Sequence, residues 1–356
     1  MEFGVVRATI EPVHSHEQLK QDVIALCLEH GRRVGTEGHE ASLRYLDQRL
    51  EAIGLDPFEG TSFQLPYRGT DLSTGHSNTF TNLAGVIPGT DPTLPPLLIG
   101  AHYDSVIDAP CADDNAAAVA VVLGVAEAVK RSPLSRDLIV CIFDAEEPPY
   151  FLTEQMGSNR FYADHVDHRP FGAALILDLI AHDVTLGGFE QKHPELKDLL
   201  FVLGAESHTA LPAVVDAAAN DVPELRVVAA QNDLIGDMSD HAAFRRGGEA
   251  FLFLSCGQGR CYHCPCDNLD EPDWFSFRKM NLVYEYSLAA IRHMDGHSDS
   301  DGLRGGGQPH DPSAYEISRL VEVFGPHLSE LGIGPMEGPE DVAALVHTLQ
   351  GLLRAR

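Results

Sequence analysis

Several short stretches of the chain carry side chains that bind metals or move protons. His102 and Asp104 follow the apolar run Leu97-Leu98-Ile99, and the pair Asp113-Asp114 comes shortly after. Asp144-Ala145-Glu146-Glu147 closes a second apolar run, DLIVCIF at 137–143. Asp178 sits inside a third run, AALILDLI at 173–180, where a charge is costly unless it is paired or metal-bound. His263 lies in Cys261-Tyr262-His263-Cys264-Pro265, beyond a last apolar run at 250–254. Two imidazoles and at least three carboxylates, with a position left open for water, suit one or two zinc ions.

Each signal alone has a plain alternative. His102 could be an ordinary satisfied histidine, Asp113 or Asp114 could cap the helix that follows, and Glu146-Glu147 could be a solvated strand end. The joint pattern is harder to dismiss. All of these groups fall at the C-terminal ends of apolar runs or in the loops after them, where open α/β sheets place their chemistry.

The elements that must hold these residues alternate. Helical patterns cover 16–31, 39–54, 116–131, 209–220 and 274–293, with a shorter one at 156–165. In the second, Leu43, Leu46, Leu50 and Ile53 share one face and Gly54 follows as a C-cap; the third reads as amphipathic. Strands are expected at 60–66, 79–86, 137–143, 173–180, 200–203, 226–230 and 250–254, besides the run ending at Ile99. The polar, Gly-rich 68–78 reads as a hairpin connection. Short continuous apolar runs are strands covered on both faces. The expectation is an α/β fold, a three-layer α/β/α sandwich around a mixed, largely parallel sheet. This domain should span 1–296; a Gly/Asp/Ser-rich linker, 297–312, should lead to a C-terminal helical appendage at 313–356.

Composition narrows the partners. The 356 residues include 53 acidic and 25 basic side chains, a formal charge of −28 that repels nucleic acid and anionic lipid. No run approaches the roughly 18–20 apolar residues that span a bilayer. The opening MEFGVVRATIEPVHS lacks the apolar core of a secretory signal, so the expected compartment is the cytoplasm, or an exported one if a signal has been removed. Seven cysteines leave at least one unpaired within the chain. The cluster Cys256, Cys261, Cys264 and Cys266 is expected to stay reduced, with a redox-sensitive disulfide as second choice and a structural zinc third.

The ordered motifs H-Y-D-S, A-D-D-N-A, D-A-E-E, L-D-L-I and Y-H-x-P-x-D resemble the di-zinc aminopeptidases of clan MH, from about Arg32 to about Arg292. The resemblance implies two zinc ions held by His102, Asp113, Glu147, Asp178 and His263. Asp113 would bridge them, with His102 and Asp178 on one ion and Glu147 and His263 on the other. Glu146 would be the general base, taking a proton from the metal-bridging water and passing it to the leaving amine. Asp104 would hydrogen-bond the back of His102, and Tyr262 would face the developing oxyanion. Peptides or small amides are the implied substrates.

Two departures stand out. Ala116-Ala117-Ala118 replaces the usual Ala-Ser-Gly, a change confined to packing. Pro148–Met156 lengthens the stretch before Gly157-Ser158, and a proline-stiffened aromatic loop there would shape the substrate pocket. That loop and the L-D-L-I strand are also similar to glutaminyl cyclases, single-zinc acyltransferases of the same fold. The implied alternatives are therefore such a cyclase, or an amidase acting on a non-peptide small molecule.

Overall fold

The computed structural model describes residues 13–72, 74–167, 169–296 and 312–354. The N-terminal stretch and nearly all of the expected linker lie outside the described residues. Among these residues nine strands form one mixed sheet: β1 (Asp56–Pro57), β2 (Gln64–Thr70), β3 (Ser77–Ile87), β4 (Leu97–His102), β5 (Leu138–Phe143), β6 (Ala173–Leu177), β7 (Leu199–Leu203), β8 (Arg226–Ala230) and β9 (Ala250–Ser255). Their order is β1-β3-β5-β4-β6-β9-β7-β8, with β2 paired to β3. The central β5, β4, β6 and β9 run parallel, so their C-terminal ends share one edge of the sheet.

Among the described residues ten α-helices surround it: α1 (Val13–Leu26), α2 (Glu37–Ile53), α3 (Ala117–Arg131), α4 (Gly157–Phe161), α5 (Leu211–Asp221), α6 (Asn232–Ile235), α7 (His241–Gly247), α8 (Phe277–Asp295), α9 (Pro312–Phe324) and α10 (Pro339–Arg354). None among the described residues is long and apolar enough to cross a membrane. Strand alternation divides the core in two, because successive side chains leave opposite faces. Leu97, Ile99, Val140, Leu175 and Leu252 join α1, α3, α5 and α8 on one side. Leu98, Cys141, Phe143, Ile176 and Phe253 meet Phe161 and Phe244 on the other. The result is the expected three-layer sandwich.

Local signals place the elements. Thr36 caps α2 by accepting a hydrogen bond from His39 N, and Gly54 ends it at φ 80°. α3 departs from the amphipathic reading, since every residue from Ala117 to Ala126 is buried. α1, α2 and α8 cover the side that the sheet does not, which is why its small Ala and Val side chains are needed all round.

The C-terminal helices pack against the body. Leu320, Phe324, Val342, Leu345 and Leu349 belong to the same apolar cluster as the sheet. Arg319 Nη2 donates to Val227 O on the edge strand β8 at 2.9 Å, and His193 meets Glu330 at 3.3 Å.

Gly100 lets β4 lie close under Phe143. A Cβ there would stand 2.6 Å from the Phe143 ring and 2.9 Å from Cys141 O. Gly100→Ala should therefore lower unfolding free energy by about 1–3 kcal/mol in urea titration; unchanged stability would contradict this packing.

Candidate metal centre

Four strand exits converge. His102 ends β4, and Asp104 turns beneath the exit of β5, accepting hydrogen bonds from Glu146 N (3.0 Å) and Glu147 N (3.1 Å). Asp104 Oδ1 also lies 3.5 Å from His102 Nδ1. At the β5 exit Asp144 accepts from Thr81 N and Ala145 N and meets His39 Nε2 at 2.8 Å. Ala145 then takes φ 54°, which throws Glu146 and Glu147 inward. β6 ends at Leu177, so Asp178 is the first residue beyond the strand rather than a member of it, followed by Leu179 at φ 55°. Non-glycine residues hold such left-handed backbone only where surrounding contacts enforce it.

The side chains gather in two groups, His102, Glu146 and Asp178 in one and Asp114, Glu147 and His263 in the other. His102 Nε2 lies 3.6 Å from Asp178 Oδ1, 3.6 Å from Asp114 Oδ1 and 3.8 Å from Glu146 Oε2. His263 Nε2 lies 3.4 Å from Asp114 Oδ2 and 3.2 Å from Glu147 Oε2. Donor atoms of a tetrahedral zinc site, with bonds of ~2.0–2.2 Å, stand roughly 3.3–3.6 Å apart.

Asp114, not Asp113, stands between the groups. This corrects the position inferred from the motif resemblance. Asp113 turns away: its Oδ1 accepts from Ala181 N at 2.6 Å and its Oδ2 meets His182 Nδ1 at 2.7 Å. Asp114 and Asn115 are non-helical, at φ −111° and −136°, so α3 starts only at Ala117. Neither aspartate is the simple helix cap that their position before an Ala-rich run suggests.

The supporting residues had little or no local signal. Arg32 is fully buried and donates to the carbonyls of Leu26, Tyr103, Pro110 and Cys111, gathering the loop that carries Asp114. Asp267 accepts from Asp113 N (2.9 Å), Asp114 N (3.0 Å) and Trp274 Nε1 (2.9 Å), tying the His263 loop to the Asp114 turn. Asp267 is the last residue of the Y-H-x-P-x-D motif and could have been read from it. His182 stacks on Trp274 behind Asp113.

Crowded buried carboxylates resist ionisation. Burial pushes Glu147 up to about 8, helped by Asp114 and opposed by His263 and His102. Burial also lifts Glu146 well above the carboxylate range, with His102 opposing and Asp178 and Glu147 adding to it. Asp178 is raised by burial as well, against His102. Asp104 is pulled the other way: burial would raise it, but His102 and the two backbone N–H groups hold it below its ordinary value. His263 would lose its proton on burial, yet Asp114 and Glu147 raise it to about 10. His102 Nε2, Glu147 Oε1 and Asp178 Oδ1 are buried with no hydrogen-bond partner. Such atoms are costly to leave unmatched, and the donor set fits dications.

Around this centre the chain differs from one further expectation. Cys261 and Cys266 form a disulfide across the His263 loop, whereas Cys256 and Cys264 are free. Two thiols at this spacing permit either state, and sequence does not determine connectivity. Tyr262 stacks on His263 at 3.8 Å. Asp240 is buried just before α7, and burial pushes it up to about 7. A cavity of about 300 Å³ opens beside Glu146, Glu147 and His263, with Pro148 and Phe151 of the long loop on its wall. Tyr150 turns inward instead, against Phe80.

Fold and site together define an α/β protein with a candidate metal centre at the C-terminal ends of its parallel strands. A model of peptidase family M28 matches residues 82–287, more than half of the chain, and the chain belongs to that family. It is 24% identical over 285 residues to the Escherichia coli K12 protein called Uncharacterized protein YfbL, covering 71% of this chain and 87% of that one. The Legionella pneumophila LapA aminopeptidase superposes with a TM-score of 0.61 at 15% identity, over 84% of this chain and 80% of that one. A Fimbriiglobus ruber glutaminyl cyclase gives 0.58 at 20% identity, over 82% and 97%. At these identities the solved structures share the fold.

The adjacent aspartates make a sharp test by metal analysis of purified variants. Asp114→Asn should lose bound metal, whereas Asp113→Asn should keep its stoichiometry and lose stability by about 1–3 kcal/mol. The opposite pattern would restore Asp113 as the ligand. Asp267→Ala should weaken metal binding by about 10–100-fold, as loss of an outer support does; unaltered affinity would remove it from that role.

Proposed function

We propose that the chain is a zinc-dependent aminopeptidase that hydrolyses the N-terminal peptide bond of its substrate. Asp114 would bridge two ions, one completed by His102 and Asp178 and the other by Glu147 and His263. The observation that carries this reading is the pair of donor groups meeting at Asp114, with Glu146 beside them on the wall of an apolar cavity. Imidazole and carboxylate donors without thiolate suit catalytic zinc. Ions held there would supply a water of lowered pKa and polarise the scissile carbonyl.

The protein's own residues do the rest. Glu146 accepts the proton of the attacking water and delivers it to the leaving amine. Its burial supports this, because a desolvated carboxylate is a stronger base than an exposed one. Asp104 stands 3.5 Å behind His102 Nδ1, where it would orient the ring, and fixes Glu146 and Glu147 through their backbone N–H groups. Tyr262, whose phenol is pushed up by burial and then by Asp114, keeps its proton and donates to the oxygen of the tetrahedral intermediate.

Glu146→Gln should lower kcat by about 10²–10⁴ with metal content retained; full residual activity would remove Glu146 as the base. A panel of aminoacyl amides and Gln-peptides, run with metal analysis, separates the readings. Two zincs per chain with release of free amino acids support the aminopeptidase. One zinc with pyroglutamate would make the protein a cyclase, and turnover of neither class would leave an amidase of other small molecules.

A further inference from the structure

We propose that His193, His327 and Glu330, with Glu195 beside them, form a structural zinc site that pins the C-terminal helices α9 and α10 to the body of the fold. It is separate from the Asp114 centre, since none of the four residues lines the cavity beside Glu146. His193 precedes a short 3-10 turn at Pro194–Asp198 that leads into β7. His327 ends another, Gly325–His327, in the connection between α9 and α10. Leu196 N donates to His193 O and Glu330 N to His327 O, both at 3.0 Å, so each imidazole sits on a defined turn. The second turn brings His327 and Glu330, three residues apart, to one face. His193 and Glu330 are 137 positions apart in sequence, and the family match, which stops at 287, does not reach His327 or Glu330.

Ligand atoms of His193, His327 and Glu330 lie within 4.8 Å of one another. His193 Nε2 is 3.3 Å from Glu330 Oε2, and His327 Nε2 is 3.3 Å from Glu195 Oε1. The two imidazole side chains are 17% and 12% exposed, shielded from bulk water yet open to an ion. Phe189 packs against both rings, with centroids at 4.6 and 6.0 Å, and gives them an apolar backing.

As two separate surface ion pairs these contacts are poor. Charge-assisted N–H···O bonds close to about 2.7–2.9 Å, whereas both pairs stand at 3.3 Å. Charging both would also set two imidazolium rings with centroids 4.1 Å apart, where like charges repel. One dication removes both objections. Donor atoms around tetrahedral zinc stand roughly 3.3–3.6 Å apart, the imidazoles bind it as neutral rings, and the two carboxylates balance its charge. Imidazole with carboxylate favours zinc over calcium or magnesium. The unfolded chain holds no such site, so the free energy of binding stabilises the docked C-terminal segment.

Equilibrium dialysis of the full-length protein against zinc tests this. The wild type should saturate at one ion per chain more than His193→Phe or His327→Phe, variants that keep a ring in the packing. His327→Cys, which offers a thiolate in place of the imidazole, should restore that ion. Zinc should also raise the unfolding temperature of the wild type and the Cys variant by more than that of the Phe variants. Equal zinc per chain in the wild type and both Phe variants makes any added binding adventitious and overturns the site, whatever the Asp114 centre holds. A loss in the Phe variants that His327→Cys does not reverse also overturns it, because the residues then serve packing alone.

Discussion

The structure depends on concentrating negative charge where water cannot reach it. Asp114, Glu146, Glu147 and Asp178 are each no more than 6% exposed and face one another across two imidazoles. Such a cluster opposes folding unless a cation matches it, because desolvation and like-charge repulsion act together. The upward shifts of Glu146, Glu147 and Asp178, with burial as their largest cause, express that opposition. Divalent ions invert the balance by stabilising the ionised carboxylates. Metal binding, proton release and site formation are therefore one linked process.

Holding ligands at such spacing takes more structure than the ligands themselves. Parallel β5, β4, β6 and β9 bring four exits to one edge, and each exit is then locked by contacts behind it. Arg32 anchors one loop through backbone carbonyls, Asp104 grips the Glu146-Glu147 turn, and Asp267 joins the two loops that carry Asp114 and His263. Each lock is a charged group meeting backbone dipoles inside the protein, where such bonds are strong and their loss is costly. The disulfide between Cys261 and Cys266 closes the last loop.

Much of this was legible in residue order. The buried strands announce themselves as short apolar runs, and Asp178 is conspicuous because it interrupts one. The three-layer architecture follows from their alternation with helices. What failed locally did so for physical reasons. In Asp113-Asp114 both residues are equally able to ligate, and only the non-helical turn decides which side chain faces the donor groups of His102 and His263 and which faces His182. α3 appears amphipathic because the cover supplied by α1 and α8 is distant in sequence. Arg32 has no neighbour pattern at all, since its partners are carbonyls brought together by the fold. The same holds for α9 and α10: their apolar faces are legible, but not that they reach the cavity beside Glu146.

The most direct measurement is anomalous diffraction at the zinc edge from crystals of the zinc-loaded protein. The account predicts two peaks, each about 2.0–2.2 Å from one carboxylate oxygen of Asp114. One peak alone, or peaks ligated by Asp113 in place of Asp114, would contradict it.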